Sequence, residues 1–442
     1  MIVLLKKYSD VIIFLFLTLI IFSFWKLGHN FFWRDEWDFL SDFRNFSFSY
    51  FFKSFNGHIK PVFKIFYWME VTFFGLNANL YSYANLIVFA CAIFFVFKLI
   101  HYSFFVFKGR TRKSWIQVVA PVLIAATHPI NFNHLLWSFQ VSQSLFLLFQ
   151  ICSLYYFMRF LHEKNSSYLL LTFFFIILQN YSFGNGIFYS LCFVSFSIFF
   201  VKEPLTRIKL SVSFISLFLG FLIVQSLFGL EKDQLSGFFH NIGSIIKAFI
   251  FMIDLNIVRT FFIADFPAYQ FKIFGLLVLI TILLVGIRNK RSDKSLLWLY
   301  FSWFIANSVS IPITRPNIID LQTVPHYYTV MSIIPLLLLT SESFTDLHQF
   351  FSLRIKLSGL IILLLVFFLI DNRMVSVFNI RNLRNELALL KAVENNTTYV
   401  AFDDPYFTHS VTRIKDPKEI YLYWKKRMLY SIAPQLNNEP KK

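Results

Sequence analysis

The sequence predicts an all-α polytopic membrane protein of about eleven transmembrane helices. Three observations carry that reading. Hydrophobic residues make up 57% of the 442 and charged residues only 15%, where a soluble domain carries about 25% charge. The apolar residues fall in runs, and eleven spans of about 20 residues would use half the chain. Lys and Arg gather in every second connection between those runs, as cytoplasmic loops do. The same figures exclude a disordered chain, a coiled coil and a secreted disulfide scaffold. Cys91, Cys152 and Cys192 sit inside apolar runs, with no CxxC pair and no metal-ligand spacing. A net charge of +17 reads as charge held in cytoplasmic loops, so no nucleic-acid partner is expected. The 62 phenylalanines read mostly as lipid-facing filler.

Taken in order, Lys6 and Lys7 precede an apolar run over 11–25 with no small-residue cleavage site after it, which predicts an uncleaved first span. Further runs cover about 81–102, 115–130, 139–161, 168–182, 187–201, 210–229, 270–287, 296–312, 327–340 and 357–371. With Lys6 and Lys7 inside, alternate connections carry Lys108 to Lys113, Arg159 and Lys164, Lys202 to Lys209, Arg288 to Lys294, and Arg354 with Lys356. The connections near 131–138 and 182–186 carry no Lys or Arg. That places the N-terminus in the cytoplasm and the C-terminal tail outside. Residues 1–371 read as the transmembrane module, and 372–442 as an outer tail. Segments 28–80 and 231–269 read as long outer loops. In the tail, 381–394 suggests a short helix and Thr398 to Phe402 a strand.

The first outer loop holds the densest chemical signal, Trp33-Arg34-Asp35-Glu36-Trp37-Asp38. On a helix Trp33 and Trp37 stack at i,i+4 and Arg34 pairs with Asp38, leaving Asp35 and Glu36 without a local partner. Two such carboxylates suit general-base work or a divalent cation, Mg or Mn. Downstream, Ile59, Val62, Phe63, Phe66 and Phe73 space as one face of an interfacial helix, with Lys60 and Lys64 on another. His58 and Lys60 are candidates to meet a phosphate, and Lys64 reads as an interfacial anchor. Amides and ring faces recur in the outer connections: His128, Asn131, His134, Trp137, Gln140 and Gln143, then Gln179, Asn180 and Asn185 among glycines. Such groups recognise sugar hydroxyls. Arg315, beside Asp320, is a candidate phosphate fork, with Tyr328 following. His240 and Asp254 lack any metal-ligand spacing.

A first span, a long outer loop opening on Arg34-Asp35-Glu36, and interfacial helices before the second span resemble the GT-C superfamily of membrane glycosyltransferases. Asn56-Gly57-His58-Ile59-Lys60-Pro61, Leu135-Leu136-Trp137-Ser138-Phe139-Gln140, Ser182-Phe183-Gly184-Asn185-Gly186 and Arg427 to Pro434 are similar to a bacterial branch of it. Serotype-converting O-antigen glucosyltransferases resemble the chain in size and layout. The resemblance implies catalytic acids at Asp35 and Glu36, an undecaprenyl-phosphate sugar donor and a periplasmic glycan acceptor, in a bacterial inner membrane. Related chains show Ser-Arg-Tyr where this one has His326-Tyr327-Tyr328. That replacement moves the expected phosphate contacts onto Arg315 and His58.

The expected activity is therefore transfer of a sugar, glucose by resemblance, from polyprenyl phosphate to a lipid-linked or surface glycan such as O-antigen. Asp35 or Glu36 is the base, and Arg315, His58 and Lys60 hold the donor phosphate. Trp137, Gln140, Asn185 and Tyr328 line the sugar and acceptor site. One base and one displacement give inversion. Membrane lipids, a companion flippase and a donor synthase are the further partners. Two alternatives remain: an O-antigen or capsule polymerase, disfavoured by outer loops poor in arginine, and a lipid-linked oligosaccharide flippase, disfavoured by spans nearly free of charge.

Overall fold

A computed structural model describes residues 9–25, 48–53, 59–75, 77–103, 115–131, 134–135, 140–183, 186, 189–228, 242–262, 274–290, 292–314, 327–345, 352–397, 399–403 and 411–415. Among them are thirteen α-helices. They are α1 (Ser9–Phe24), α2 (Pro61–Phe74), α3 (Ala78–His101), α4 (Trp115–Thr127), α5 (Val141–Glu163), α6 (Ser166–Asn180) and α7 (Ser190–Phe200). Then come α8 (Pro204–Phe228), α9 (Ile242–Phe262), α10 (Phe274–Arg288), α11 (Lys294–Thr314), α12 (Tyr327–Ser343) and α13 (Leu353–Glu394). Each of the eleven predicted runs falls on a helix. Among the described residues four helices, Ala78–His101, Val141–Glu163, Pro204–Val224 and Leu353–Glu394, are long and apolar enough to cross a membrane. Several others, such as Ser9–Phe24 and Ser166–Asn180, are apolar but shorter. The chain is a multi-pass membrane protein, and the figure of eleven crossings stays a reading of the sequence.

The helices pack in a connected sequence of pairs: α5 with α6 and α3, α7 with α8 and α11, and α9 with α10, α11 and α12. Local signals set the turns. Lys164 ends α5 in the left-handed region (φ 56°), and the Asn165 side chain caps α6 by accepting the Ser167 N–H at 2.9 Å. The phenylalanines do more than face lipid. Phe157 meets Phe193 at 5.3 Å and Phe214 at 6.0 Å, and Phe173 and Phe193 each meet Phe214 at 5.0 Å. That cluster knits α5, α6, α7 and α8. Inside a membrane, helices are held by such close packing rather than by exclusion of water. Lipid-facing surface is supplied instead by α8 and the first half of α13, where Leu205, Ile208, Val212, Leu357, Ile361 and Leu365 are exposed.

Four expectations change. In α2 the buried face is Phe63, Lys64, Tyr67, Glu70 and Val71, while Ile65, Trp68, Met69 and Phe73 point outward. The predicted face is split rather than uniform: Ile59 and Phe63 are buried, Val62 and Phe66 half-buried, and Phe73 exposed. Lys64 is no surface anchor: its Nζ donates to the Tyr50 carbonyl at 2.8 Å and the Lys53 carbonyl at 2.6 Å, over the Tyr50 ring. It thereby closes the 3₁₀ turn Phe48–Phe52. The segment 231–269, read as a loop, contains the 21-residue helix α9. Finally, 381–394 is no separate helix. It is the end of the 42-residue α13, so the line drawn at 371/372 falls inside one helix. Beyond it Tyr399–Asp403 pairs antiparallel with Val411–Lys415, where a strand at 398–402 was expected.

Candidate functional site

Several groups of buried polar side chains lie toward one end of the bundle, the end the sequence places outside, and others, such as Ser292 with Glu342, lie toward the opposite end. The Trp25 indole N–H marks the outer end by donating to the Ala126 carbonyl at 3.2 Å, tying the end of α1 to the end of α4. Three groups of residues meet at this level.

The first surrounds His128. Its Nδ1 accepts the Ile130 N–H at 3.1 Å and its Nε2 lies 3.0 Å from the Thr260 carbonyl. A backbone N–H can only donate and a carbonyl can only accept, so the ring is neutral and protonated on Nε2. Both nitrogens are committed, and His128 joins α4 to α9 rather than accepting a proton. Beside Thr260, buried Arg259 donates from Nη1 to Thr329 Oγ1 at 3.3 Å, at the start of α12. On the other side of the imidazole lies Phe367 of α13, 5.1 Å between ring centroids. One turn further along α13 is Asp371, fully buried (0% exposed). Neither of its carboxylate oxygens has a hydrogen-bond partner among the described residues.

The second group anchors the connection between α4 and α5. Asn85 Nδ2 donates to the His134 carbonyl at 2.9 Å, which turns its Oδ1 to Ser144 Oγ. The hydroxyl spends its one proton there, so His134 Nε2, 2.9 Å from the same oxygen, must be the donor of that bond. Gln143 Oε1 lies 3.2 Å from His134 Nδ1. A half-turn of that amide presents its NH₂ instead, which suits a neutral ring. Burial holds the imidazole neutral, pushing its pKa from 6.5 down to about 4 against a smaller opposing effect of Gln143.

The third group joins α2 to the end of α6. Val62 N donates to the Tyr181 carbonyl at 3.2 Å, and Lys60 Nζ stands 5.3 Å from the centre of the Phe183 ring. Phe183 in turn meets Phe146 of α5 at 6.0 Å. Gln179 and Asn180 are buried on the adjoining turn of α6.

Of the residues singled out from the sequence, Lys60 is buried at the N-cap of α2 and Gln140 is buried at the N-cap of α5, with no capping bond from its side chain. Tyr328 is the second residue of α12, next to the Thr329 that receives Arg259. Asp35, Glu36, His58, Trp137, Asn185 and Arg315 lie outside the described residues. Among the described residues no three His, Cys, Asp or Glu side chains gather to hold a metal ion. Asp254 accepts the Leu276 N–H at 2.9 Å and so caps α10. Sequence reading missed Arg259 and Asp371. The available signal was an ionisable residue inside an apolar helix, which is costly enough to mark a site.

No family model and no curated protein matches the chain. Among solved structures it is similar to the archaeal oligosaccharyltransferase AglB from Archaeoglobus fulgidus in complex with an inhibitory peptide and a dolichol-phosphate. The TM-score is 0.49 and the identity 14%, over 99% of this chain and 61% of that one. The chain thus spans less than two thirds of that protein's length.

Proposed function

We propose that the protein is a membrane glycosyltransferase. It moves a sugar, glucose in the first instance, from a polyprenyl-phosphate donor to a lipid-linked or surface glycan such as O-antigen. The observation that carries the reading is the burial of Arg259, Lys60, Asp371 and several amides within a bundle of mostly apolar helices. A donor with a lipid tail and a polar head needs that combination. The reading further places the site at the periplasmic face of a bacterial inner membrane and the N-terminus in the cytoplasm.

In the proposed reaction a carboxylate takes the proton of an acceptor hydroxyl. The hydroxyl oxygen bonds to the anomeric carbon as the bond from that carbon to the phosphate oxygen breaks. Polyprenyl phosphate leaves with the electron pair, and configuration inverts. Asp35 and Glu36 are the candidates for the base by resemblance, and Asp371 joins them by burial. Arg315, His58 and Lys60 remain candidates for the phosphate, and Trp137, Gln140, Asn185 and Tyr328 for sugar and acceptor. Arg259 joins the phosphate group with a specific rationale. It reaches the start of α12, where related chains carry the arginine that Tyr327 replaces here, and a guanidinium from α9 can serve in its stead.

The buried charges Arg259 and Asp371 reopen a flippase reading, since charge-poor spans were the ground for setting it aside. Their position at one end, rather than along a path through the bundle, favours transfer.

The test is sugar transfer in membranes with titrated polyprenyl-phosphate glucose. At least one of Asp35→Asn, Glu36→Gln and Asp371→Asn should lower transfer by about 10²-fold or more. Arg259→Lys, which keeps charge but loses the fork, should raise the donor concentration needed. Wild-type rates in all three carboxylate variants, with unchanged donor dependence in Arg259→Lys, sink the assignment.

A further inference from the structure

We infer that Gln179, Asn180 and Gln150 form a hydroxyl-recognition subsite between α5, α6 and α7, which takes the sugar ring of the donor. The identity of that ligand rests on the function proposed above.

The first ground is unmet hydrogen bonding. Gln179 is 0% exposed, and among the described residues neither Oε1 nor Nε2 has a partner. Asn180 gives Nδ2 to Ser190 Oγ at 3.4 Å and leaves Oδ1 unpartnered. Gln150 gives Nε2 to Asn307 Oδ1 at 2.9 Å. Asn307 cannot turn round, because its own Nδ2 donates to the Met331 carbonyl at 2.6 Å. Gln150 Oε1 therefore remains an unused acceptor. Burying an amide without its bonds is unfavourable even in a polar interior, and more so among apolar helices. Three buried amides on helices that pack together thus have hydrogen bonds to offer.

The second ground is their convergence. The buried face of α6 is Thr172, Ile176, Gln179 and Asn180, and α5 is its main packing partner. Phe149 meets Phe175 at 6.0 Å and Phe146 meets Phe183 at 6.0 Å. Gln179 thus lies alongside the stretch of α5 that ends in Gln150. Asn180 reaches Ser190 of α7, and Tyr189 next to it donates its hydroxyl to the Gln150 carbonyl at 3.4 Å. The backbone of the turn also closes on this place. A Cβ on Gly186 would come within 2.9 Å of both Asn180 Oδ1 and Phe146 Cε2, so any side chain there would have to displace the ring.

Chemistry selects the ligand. One NH₂ group and three carbonyl oxygens suit hydroxyls, each of which donates and accepts. A phosphate would need an excess of donors or positive charge, and a metal ion would need carboxylates. The Phe146 and Phe183 rings add an apolar wall of the kind that sugar C–H faces pack against.

The experiment uses the full chain in nanodiscs, wild type and Gln179→Met, which keeps side-chain length and removes the amide. The probes are farnesyl phosphate, glucosyl farnesyl phosphate and free D-glucose, the last read by saturation-transfer NMR. Wild type should prefer the glucosylated lipid by about tenfold, the worth of one or two buried hydrogen bonds. Gln179→Met should lose that preference and the glucose signal while keeping its affinity for farnesyl phosphate. An equal preference in both proteins overturns the subsite and leaves the proposed function standing. If neither farnesyl ligand binds wild type, the donor reading fails and free glucose decides: a signal lost in the variant upholds the subsite, while a signal retained there or absent from wild type overturns it. Should Gln179→Met not fold, Asn180→Ala takes its place with the same expected loss of preference.

Discussion

Two polar clusters share the same end of the bundle and both draw on α5, yet they are built in opposite ways. Around His134, the Asn85 amide, the Ser144 hydroxyl and the His134 ring and carbonyl close on one another, and one atom of the Gln143 amide is left over. Around Gln179, four side-chain atoms of three amides have no partner among the described residues. Both clusters are equally buried, so burial of polar groups does not separate structure from function. What separates them is whether the hydrogen bonds are made. A closed cluster contributes to holding helices together. An open one costs stability and is tolerated where a ligand closes it.

The largest effect that sharpens this contrast is acid sensitivity of the closed cluster. His134 lies in the connection between α4 and α5 and takes up its proton near pH 4 when folded, against about 6.5 when unfolded. Between those values the unfolded chain binds more protons, so stability is complete above pH 6.5 and falls as pH drops toward 4. The slope is about 1.4 kcal/mol per pH unit, roughly 3 kcal/mol in all. Unfolding followed against pH should show this limb, and His134→Gln should flatten it. An identical limb in wild type and variant would show that the ring is not the group responsible.

Next in size, Asn85→Ala removes both bonds of the clamp and leaves Ser144 without its acceptor. It should cost about 2 kcal/mol, the upper part of the range for hydrogen bonds between membrane helices. Smallest is Asn180→Ala in the open cluster, which gives up a single long bond and should change stability by less than about 0.5 kcal/mol. Denaturant unfolding of the two variants side by side checks the ranking, and equal losses would erase the distinction.

Much of the fold was legible because apolar runs and alternating loop charge are local properties of a sequence. The helix α9 was not, since Lys247, Asp254, Asn256 and Arg259 interrupt its apolar pattern. Those interruptions mark buried polar contacts, such as Asn256 Nδ2 to Ser308 and Ser332, which exist only after α11 and α12 assemble around it. The stripe read for α2 proved divided, with Ile59 and Phe63 buried and Phe73 exposed, because periodicity gives a stripe but not how much of it the neighbouring elements cover. At the site, residue types pointed to Gln179, Asn180 and Gln140 as amides at one level. Which amides would be satisfied depends on the register of α5 against α6 and the orientation of Asn307, which no local pattern encodes. Asp371 is the last residue of a predicted span and drew no reading of its own, since its position one turn from Phe367, which meets His128, is a product of packing.

The most direct test is thermal unfolding of wild type and Gln179→Met in nanodiscs, with and without glucosyl farnesyl phosphate. The account predicts that the variant without ligand unfolds at or above the wild-type temperature, because an unpaired buried amide has been removed. It also predicts that saturating ligand raises the wild-type midpoint by more than that of the variant, as binding to the folded state requires. A variant that unfolds earlier than wild type and gains as much from the ligand would show that Gln179 is satisfied in the folded protein and contributes nothing to the sugar, contradicting the account.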